Sequence, residues 1–193
     1  MRLYDETCLA LCEGQYIDIQ SSATDSLMSV ELYFDMIGRK TASLIAASIE
    51  AGAVLATDDE DVIARYRGFG WALGLAFQLN DDLLGIWGAE QATGKAPSDV
   101  AHRKQTLPVI YANEHAEPAD QARLAAVYAA PTPTAEDVRD VIAILERTGA
   151  REYTRDEARR YRDEALAELD AAGVVQPAAR ERLEEIMVSV ISA

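Results

Sequence analysis

A chain of 193 residues with 49% hydrophobic and 26% charged residues has the make-up of an ordinary globular protein with material for one sizeable core. Its 33 Asp and Glu against 18 Lys and Arg give a formal charge of −15, which disfavours nucleic acid or an anionic membrane surface as a general partner. No N-terminal stretch joins a basic flank to an apolar core and a cleavage site, and the longest apolar run, Thr41 to Thr57, is short and contains Glu50. A cytoplasmic protein without stable membrane insertion is therefore expected.

Every segment reads as helix. Residues 3 to 17 set Leu3, Thr7 and Leu11 beside Cys8 and Cys12, with Gly14 loosening the end. Two cysteines four apart on a helix are poorly placed for a disulfide, and His102 and His115 show no zinc-ligand spacing, so reduced, packed thiols are expected. Ser21 to Ser26 reads as a turn. From Ser29, an N-cap ahead of Leu32 and Tyr33, a helical pattern runs to Ala56 and is interrupted at Gly38. Thr57 to Asp61 (TDDED) supplies a cap and a first turn of carboxylates, so this acidic cluster reads as a solvated helix start and not as a metal site. The helix it opens extends to about Trp87. Gly68, Gly70 and Gly74 inside it each cost roughly 1 kcal/mol relative to Ala, which points to close packing of neighbouring helices.

The end of that helix, Gly70 to Gly88, reads GWALGLAFQLNDDLLGIWG. It is apolar on almost every side yet carries Asn80, Asp81 and Asp82 at its middle. Carboxylates withdrawn from water need a cation or several donors, so the adjacent pair asks for a counter-charge. A divalent metal or a basic residue of a neighbouring helix would meet that need, and Gln78, three and four positions earlier, can address the same ligand.

After Gly88 the pattern pauses over AEQATGKAPSDVAHRKQ, which holds Lys95, Asp99, Arg103 and Lys104. A structureless stretch of that length in a compact domain is usually functional, and this one can fold back over the acidic helix. Thr106 and Leu107 restart a helix with Pro108 in its first turn; Asn113 to Pro118 is a turn, Ala119 to Ala129 a short helix, and Pro131 to Thr134 a break. Thr134 with Asp137 forms a capping box for a helix to about Thr148. Tyr153 to Ala172 is amphipathic and charged on a solvated face, Gly173 ends it, and Pro177 starts a last helix to about Ile191. With no repeat, low-complexity tract or linker, a single domain over residues 1–193 is expected.

FQLNDD followed by LLG, then TGK and a later Asp and Lys before TLPV, resembles the second aspartate-rich region of the trans-isoprenyl diphosphate synthases, the polyprenyl synthetase family. GQYID at Gly14 to Asp18 resembles that family's GQ-containing helix, and RKTASL at Arg39 to Leu44 resembles its Lys-Thr motif, in the same order and spacing. The resemblance implies an all-α, isoprenoid synthase-like helical bundle that here lacks its N-terminal helices. It also implies Mg²⁺-dependent prenyl transfer, in which departure of an allylic diphosphate leaves a carbocation that isopentenyl diphosphate attacks. Residue by residue, Asp81 becomes a direct magnesium ligand and Asp82 a direct or water-linked partner. Lys40, Lys95 and Lys104 clamp diphosphate oxygens, Thr41 and Gln78 donate hydrogen bonds, and Asp99 orients the loop or its water. Prenyl diphosphate and isopentenyl diphosphate are the implied ligands, and a homodimer or a heteromer with a complementary synthase chain the implied assembly.

The resemblance has gaps. The third acid of the family's DDxxD is Gly85 here, and the acid that many relatives carry after the following glycine is Ala89. The first aspartate-rich motif and the basic segment that binds isopentenyl diphosphate, both upstream of the GQ helix in the family, have no counterpart in this sequence. Three readings stay open: the C-terminal part of a prenyl-elongating enzyme, a non-catalytic partner subunit of a synthase, or a class I terpene cyclase-like protein.

Overall fold

Local signals set the helix starts. The Ser29 hydroxyl accepts the Leu32 N–H at 3.2 Å, and Asp59 accepts the N–H groups of Asp61 and Val62 at 3.0 and 3.3 Å, so the TDDED cluster does open a helix. Thr134 and Asp137 form the expected capping box. The structure, a computed structural model, describes residues 2–24, 26–88, 98–173 and 176–190; the expectations attached to Lys95 and Ala89 lie outside them. Among the described residues every regular element is helical, giving the expected all-α fold. In chain order these are α1 (Arg2–Ser22), α2 (Val30–Ile37), a π-helical turn (Gly38–Ala42) leading into α3 (Ser43–Ala56), and α4 (Glu60–Leu83) with a second π-helical turn (Leu84–Gly88). Then follow α5 (Ser98–Ala101), α6 (Leu107–His115), α7 (Pro118–Ala129), α8 (Ala135–Arg147), α9 (Ala150–Ala171) and α10 (Pro177–Val190). No described helix is long and apolar enough to cross a membrane.

Two expectations for the first helix are corrected. α1 is not loosened at Gly14 and does not end at residue 17 but runs to Ser22, because Gly14 is a buried packing position and the Ser21 and Ser22 hydroxyls, each 2.9 Å from the Asp18 carbonyl, satisfy the last turn. Cys8 and Cys12 are free, as expected, but exposed and not packed. The buried positions of α1 are Thr7, Gly14 and Ser21, seven apart, and the cysteines lie off that stripe.

The chain gathers into two compact units. The first takes Met1–Gln15, Met36–Asn80 and Glu157–Ser192, with a core of Phe69, Ala72 and Leu73 from α4, Ala165 and Leu169 from α9, and Met187 from α10. The α4 glycines act here as the sequence suggests. A Cβ on Gly70 would stand 2.7 Å from Ala46 Cα and one on Gly74 2.6 Å from Ala42 Cα, so the two backbones approach to a distance that only glycine permits.

The second unit takes Tyr16–Asp35 and Asp81–Asp156. Its core joins Leu83, Ile86 and Trp87 to Val100, Val109, Leu124, Val127, Val141, Ile144 and Leu145. The Trp87 indole N–H donates to Glu146 at 2.8 Å, and the Arg151 guanidinium lies 5.1 Å from the ring centre. On α9, Arg155 pairs with Glu152 and Arg160 with Glu157, each at 2.7 Å, along the expected charged face.

Candidate active site

Adjacent residues on a helix point about 100° apart, so two neighbouring acids at the end of α4 cannot both face the core. Asp82 is buried at 1% exposure, whereas the Asp81 side chain is 53% exposed. The expectation of two acids withdrawn from water is thereby corrected to one buried acid and one open acid.

Asp82 is held from two sides. Its Oδ2 accepts the Tyr33 hydroxyl at 2.5 Å and the backbone N–H of Leu107, the first residue of α6, at 2.9 Å. Thr106, the local N-cap of α6, makes no capping bond, and its buried hydroxyl finds no partner among the described residues. A carboxylate at a helix N-terminus meets orphan donors and the positive end of the helix dipole, so Asp82 caps α6 from α4. Burial, reinforced by the Asp82 charge and hydrogen bond, raises the Tyr33 pKa well above its ordinary value and keeps it a donor.

Lys104 joins the acids. Its ammonium stands 3.4 Å from Asp81 Oδ2, 3.9 Å from Asp82 Oδ1 and 3.2 Å from Asp99 Oδ2. Burial works to lower the Lys104 pKa, but the charges of Asp82, Asp99 and Asp81 outweigh it, and the net shift is upward. The residue before it, Arg103, has φ 55°, a left-handed conformation costly for a side chain with a Cβ. Its backbone N–H bonds the Val100 carbonyl at 3.0 Å, that of Lys104 bonds the Asp99 carbonyl at 2.9 Å, and the Tyr128 hydroxyl donates to the Lys104 carbonyl at 3.2 Å. These bonds fix the short segment between α5 and α6 from which Lys104 projects.

In the first unit, Lys40 and Thr41 lie in the π-helical turn after α2. Such turns are rare and often mark functional positions. The Thr41 hydroxyl donates to Gln78 Oε1 at 2.9 Å. The turn is packed against α1: a Cβ on Gly14 would lie 2.5 Å from the Lys40 backbone nitrogen, and Arg39 pairs with Glu13.

The structure thus brings together Asp81, Asp82, Asp99 and Lys104 in one unit and Thr41 with Gln78 in the other; Lys40 is half-buried beside Thr41, and Lys95 lies outside the described residues. Tyr33 and the Leu107 N–H were missed by sequence reasoning, since Tyr33 counts only as an apolar-face residue and a backbone donor leaves no mark in a sequence. The acid set consists of hard oxygen donors, with Asp81 open to solvent, which fits a magnesium ion that keeps much of its water. Among the described residues no three His, Cys, Asp or Glu side chains close on a metal position by themselves.

The family model for polyprenyl synthetase matches residues 1–145. The geranylgeranyl diphosphate synthase of Mycobacterium tuberculosis is 41% identical over 152 residues, which cover 77% of this chain and 43% of that protein. The crystal structure of geranylgeranyl pyrophosphate synthetase from Pyrococcus horikoshii matches with a TM-score of 0.90 at 28% identity, over 100% of this chain and 57% of the other. That of polyprenyl synthase from Caulobacter crescentus, complexed with calcium and isoprenyl diphosphate, matches with a TM-score of 0.85 at 32% identity, over 100% of this chain and 58% of the other. The chain spans about half the length of the relatives it matches. The family match takes in the GQ helix, the Lys-Thr turn and the acid–lysine cluster alike, and this chain belongs to the polyprenyl synthetase family.

Proposed function

We propose that the chain serves isoprenoid biosynthesis through magnesium-dependent prenyl transfer, joining an allylic prenyl diphosphate to isopentenyl diphosphate with release of diphosphate, and that it is incomplete as a catalyst alone. The observation that supports this most directly is the Lys104 ammonium held at 3.2, 3.4 and 3.9 Å from three carboxylates beside the end of α4. As the allylic C–O bond breaks, the leaving group gains negative charge, and cationic groups already aimed at it lower the barrier. Lys104 is the ammonium that the acid cluster holds in readiness; Lys40 and Lys95 are its proposed companions, with Thr41 and Gln78 as hydrogen-bonding residues. The new bond joins the allylic carbon to the double bond of isopentenyl diphosphate, and a proton is released. Magnesium, when bound, supplies counter-charge to the diphosphate, and Asp81 offers it a hard carboxylate oxygen. Asp82, its Oδ2 bonded to Tyr33 and Leu107, contributes charge and position from behind.

The proposed setting is the cytoplasm, with residues 1–193 acting as one domain in a homodimer or with a complementary synthase chain. Exposed Tyr4, Leu9, Tyr16 and Ile19 on α1 support such an assembly. The test is turnover by the purified chain with Mg²⁺ and prenyl diphosphates, with and without isopentenyl diphosphate and a chain bearing the first aspartate-rich motif. Elongation only with that second chain is expected. A cyclic product without isopentenyl diphosphate would mean cyclisation, and no turnover under any condition would leave a partner subunit.

A further inference from the structure

Lys104 meets three carboxylates, whereas Arg103 and Gln105 on either side of it line a cavity with His102, opposite Ser22, Thr24 and Ser26 from the end of α1 and the connection to α2. Its volume of about 70 Å³ is room for a few waters or one small anion, well under the roughly 300 Å³ at which pockets for larger ligands begin. Gln105 ties the two sides together: its Oε1 accepts the Met28 N–H at 2.7 Å and its Nε2 donates to the Ser21 and Ser26 carbonyls at 2.8 and 3.3 Å. The Ser22 and Thr24 hydroxyls donate to the Asp18 and Ser21 carbonyls at 2.9 and 3.0 Å, so neither proton is available to a ligand. The Ser26 hydroxyl makes no bond among the described residues.

Arg103 is the only non-glycine residue with positive φ among the described residues. It follows the last turn of α5, and the Lys104 N–H bonds back to the Asp99 carbonyl at 2.9 Å, the arrangement in which a helix ends on a left-handed residue that is ordinarily glycine. An arginine there strains the backbone, and strain of this kind is kept where the side chain has work to do. What the side chain visibly gains is small: one guanidinium N–H reaches the Tyr128 carbonyl in the last turn of α7, at a long 3.3 Å. Unlike Arg123, Arg147, Arg155 and Arg160, Arg103 meets no carboxylate among the described residues, and its other N–H groups remain available. No Asp or Glu among the described residues lines the cavity, in a chain that carries 33 of them.

We propose that this cavity is a site for one small oxyanion of the phosphate class, held by the Arg103 guanidinium and the Ser26 hydroxyl with His102 alongside, and that anion binding is what an arginine at a left-handed position supplies. A guanidinium presents a planar fork of donors that matches phosphate oxygens, and a charge-assisted bond of this kind is about twice as strong as a neutral one. The site uses none of the acid–lysine cluster, so it stands whether or not prenyl transfer does.

Calorimetric titration of the whole chain with inorganic phosphate, in EDTA and at constant ionic strength, tests it, because removing divalent metal silences magnesium-dependent binding at Asp81. One phosphate per chain is expected, with a saturable rise in Tm. Arg103→Gly should raise Tm in the absence of phosphate, by releasing strained backbone, and weaken phosphate binding by roughly 10- to 100-fold, as loss of hydrogen bonds to a charged group does. Ser26→Ala should weaken binding by a smaller factor and leave Tm without phosphate unchanged. Metal-free pyrophosphate should bind more weakly than phosphate, because the cavity holds one anion. No phosphate binding by the parent chain, or binding that Arg103→Gly leaves unchanged, would overturn the site. An Arg103→Gly variant that melts below the parent would show that the arginine serves α7, and would overturn the link between strain and anion. Pyrophosphate bound as tightly as phosphate would overturn the single-anion assignment and point to the end of a diphosphate.

Discussion

Asp82 Oδ2 receives the Leu107 backbone N–H at 2.9 Å, so the N-terminus of α6 is capped by a side chain from α4 and not by its own N-cap residue. The same oxygen takes the Tyr33 hydroxyl, which ties three helices to one buried charge. Removing that charge strands two buried donors and leaves Lys104 with one partner fewer. Asp82→Ala should therefore cost about 3–5 kcal/mol in urea unfolding. Asp82→Asn, which keeps an acceptor, should cost less, and Tyr33→Phe about 1.5–3 kcal/mol. An Asp82→Ala variant as stable as the parent would contradict the capping role.

Asp81 should behave in the opposite way. Its side chain is exposed and its pairing with Lys104 is screened by water, so Asp81→Ala should change stability by less than about 1 kcal/mol and leave helical circular dichroism intact. Magnesium-dependent diphosphate binding should be lost. Unaltered binding would remove Asp81 as a metal ligand.

Alkaline pH should weaken the second unit in a way traceable to Tyr128. Its phenol is held above the ordinary value of 10.0, first by burial and then by the charges of Asp99 and Asp82. A raised folded pKa gives stability that is complete below about pH 10 and lost as pH rises, because the unfolded chain ionises there while the folded one resists. Tyr33, raised by burial and by Asp82, acts with the same sign. Tyr128→Phe should flatten the fall of Tm above about pH 10, while at neutral pH it costs about 1 kcal/mol for the bond to the Lys104 carbonyl. An unchanged alkaline slope would show that Tyr128 does not titrate with unfolding.

Glycines of the first unit should divide by their surroundings. Gly14→Ala would set a Cβ 2.5 Å from the Lys40 backbone nitrogen, and since backbone cannot swing aside the expected loss is about 1–3 kcal/mol, with displacement of the Lys40–Thr41 turn. Gly52 in α3 has nothing within 4 Å of its Cβ position. Gly52→Ala should stabilise by about 0.5–1 kcal/mol through helix propensity. Denaturant midpoints that move alike in both variants would refute the distinction.

Helix type and most boundaries were legible along the chain because they depend on neighbours in sequence: the Thr134–Asp137 box, the TDDED start, Pro108 in the first turn of α6, and Gly173 at the end of α9. The end of α1 was not, since Gly14 read as a weak point when it is a packing position, and what it packs against lies 26 residues away at Lys40. The exposure of Cys8 and Cys12 was lost for a like reason, as the buried stripe of α1 is set by its neighbours and not by residue type.

By itself, then, the sequence determined an all-helical chain of the polyprenyl synthetase family, with acids, lysines, Thr41 and Gln78 in a fixed order, because periodicity, caps and motif spacing are local or one-dimensional properties. Only the tertiary structure decided which of two adjacent aspartates is sunk and which is open, and that Tyr33 and the Leu107 N–H hold the sunk one. Those outcomes turn on hydrogen-bond partners contributed by residues 25 to 49 positions apart, which no local pattern encodes.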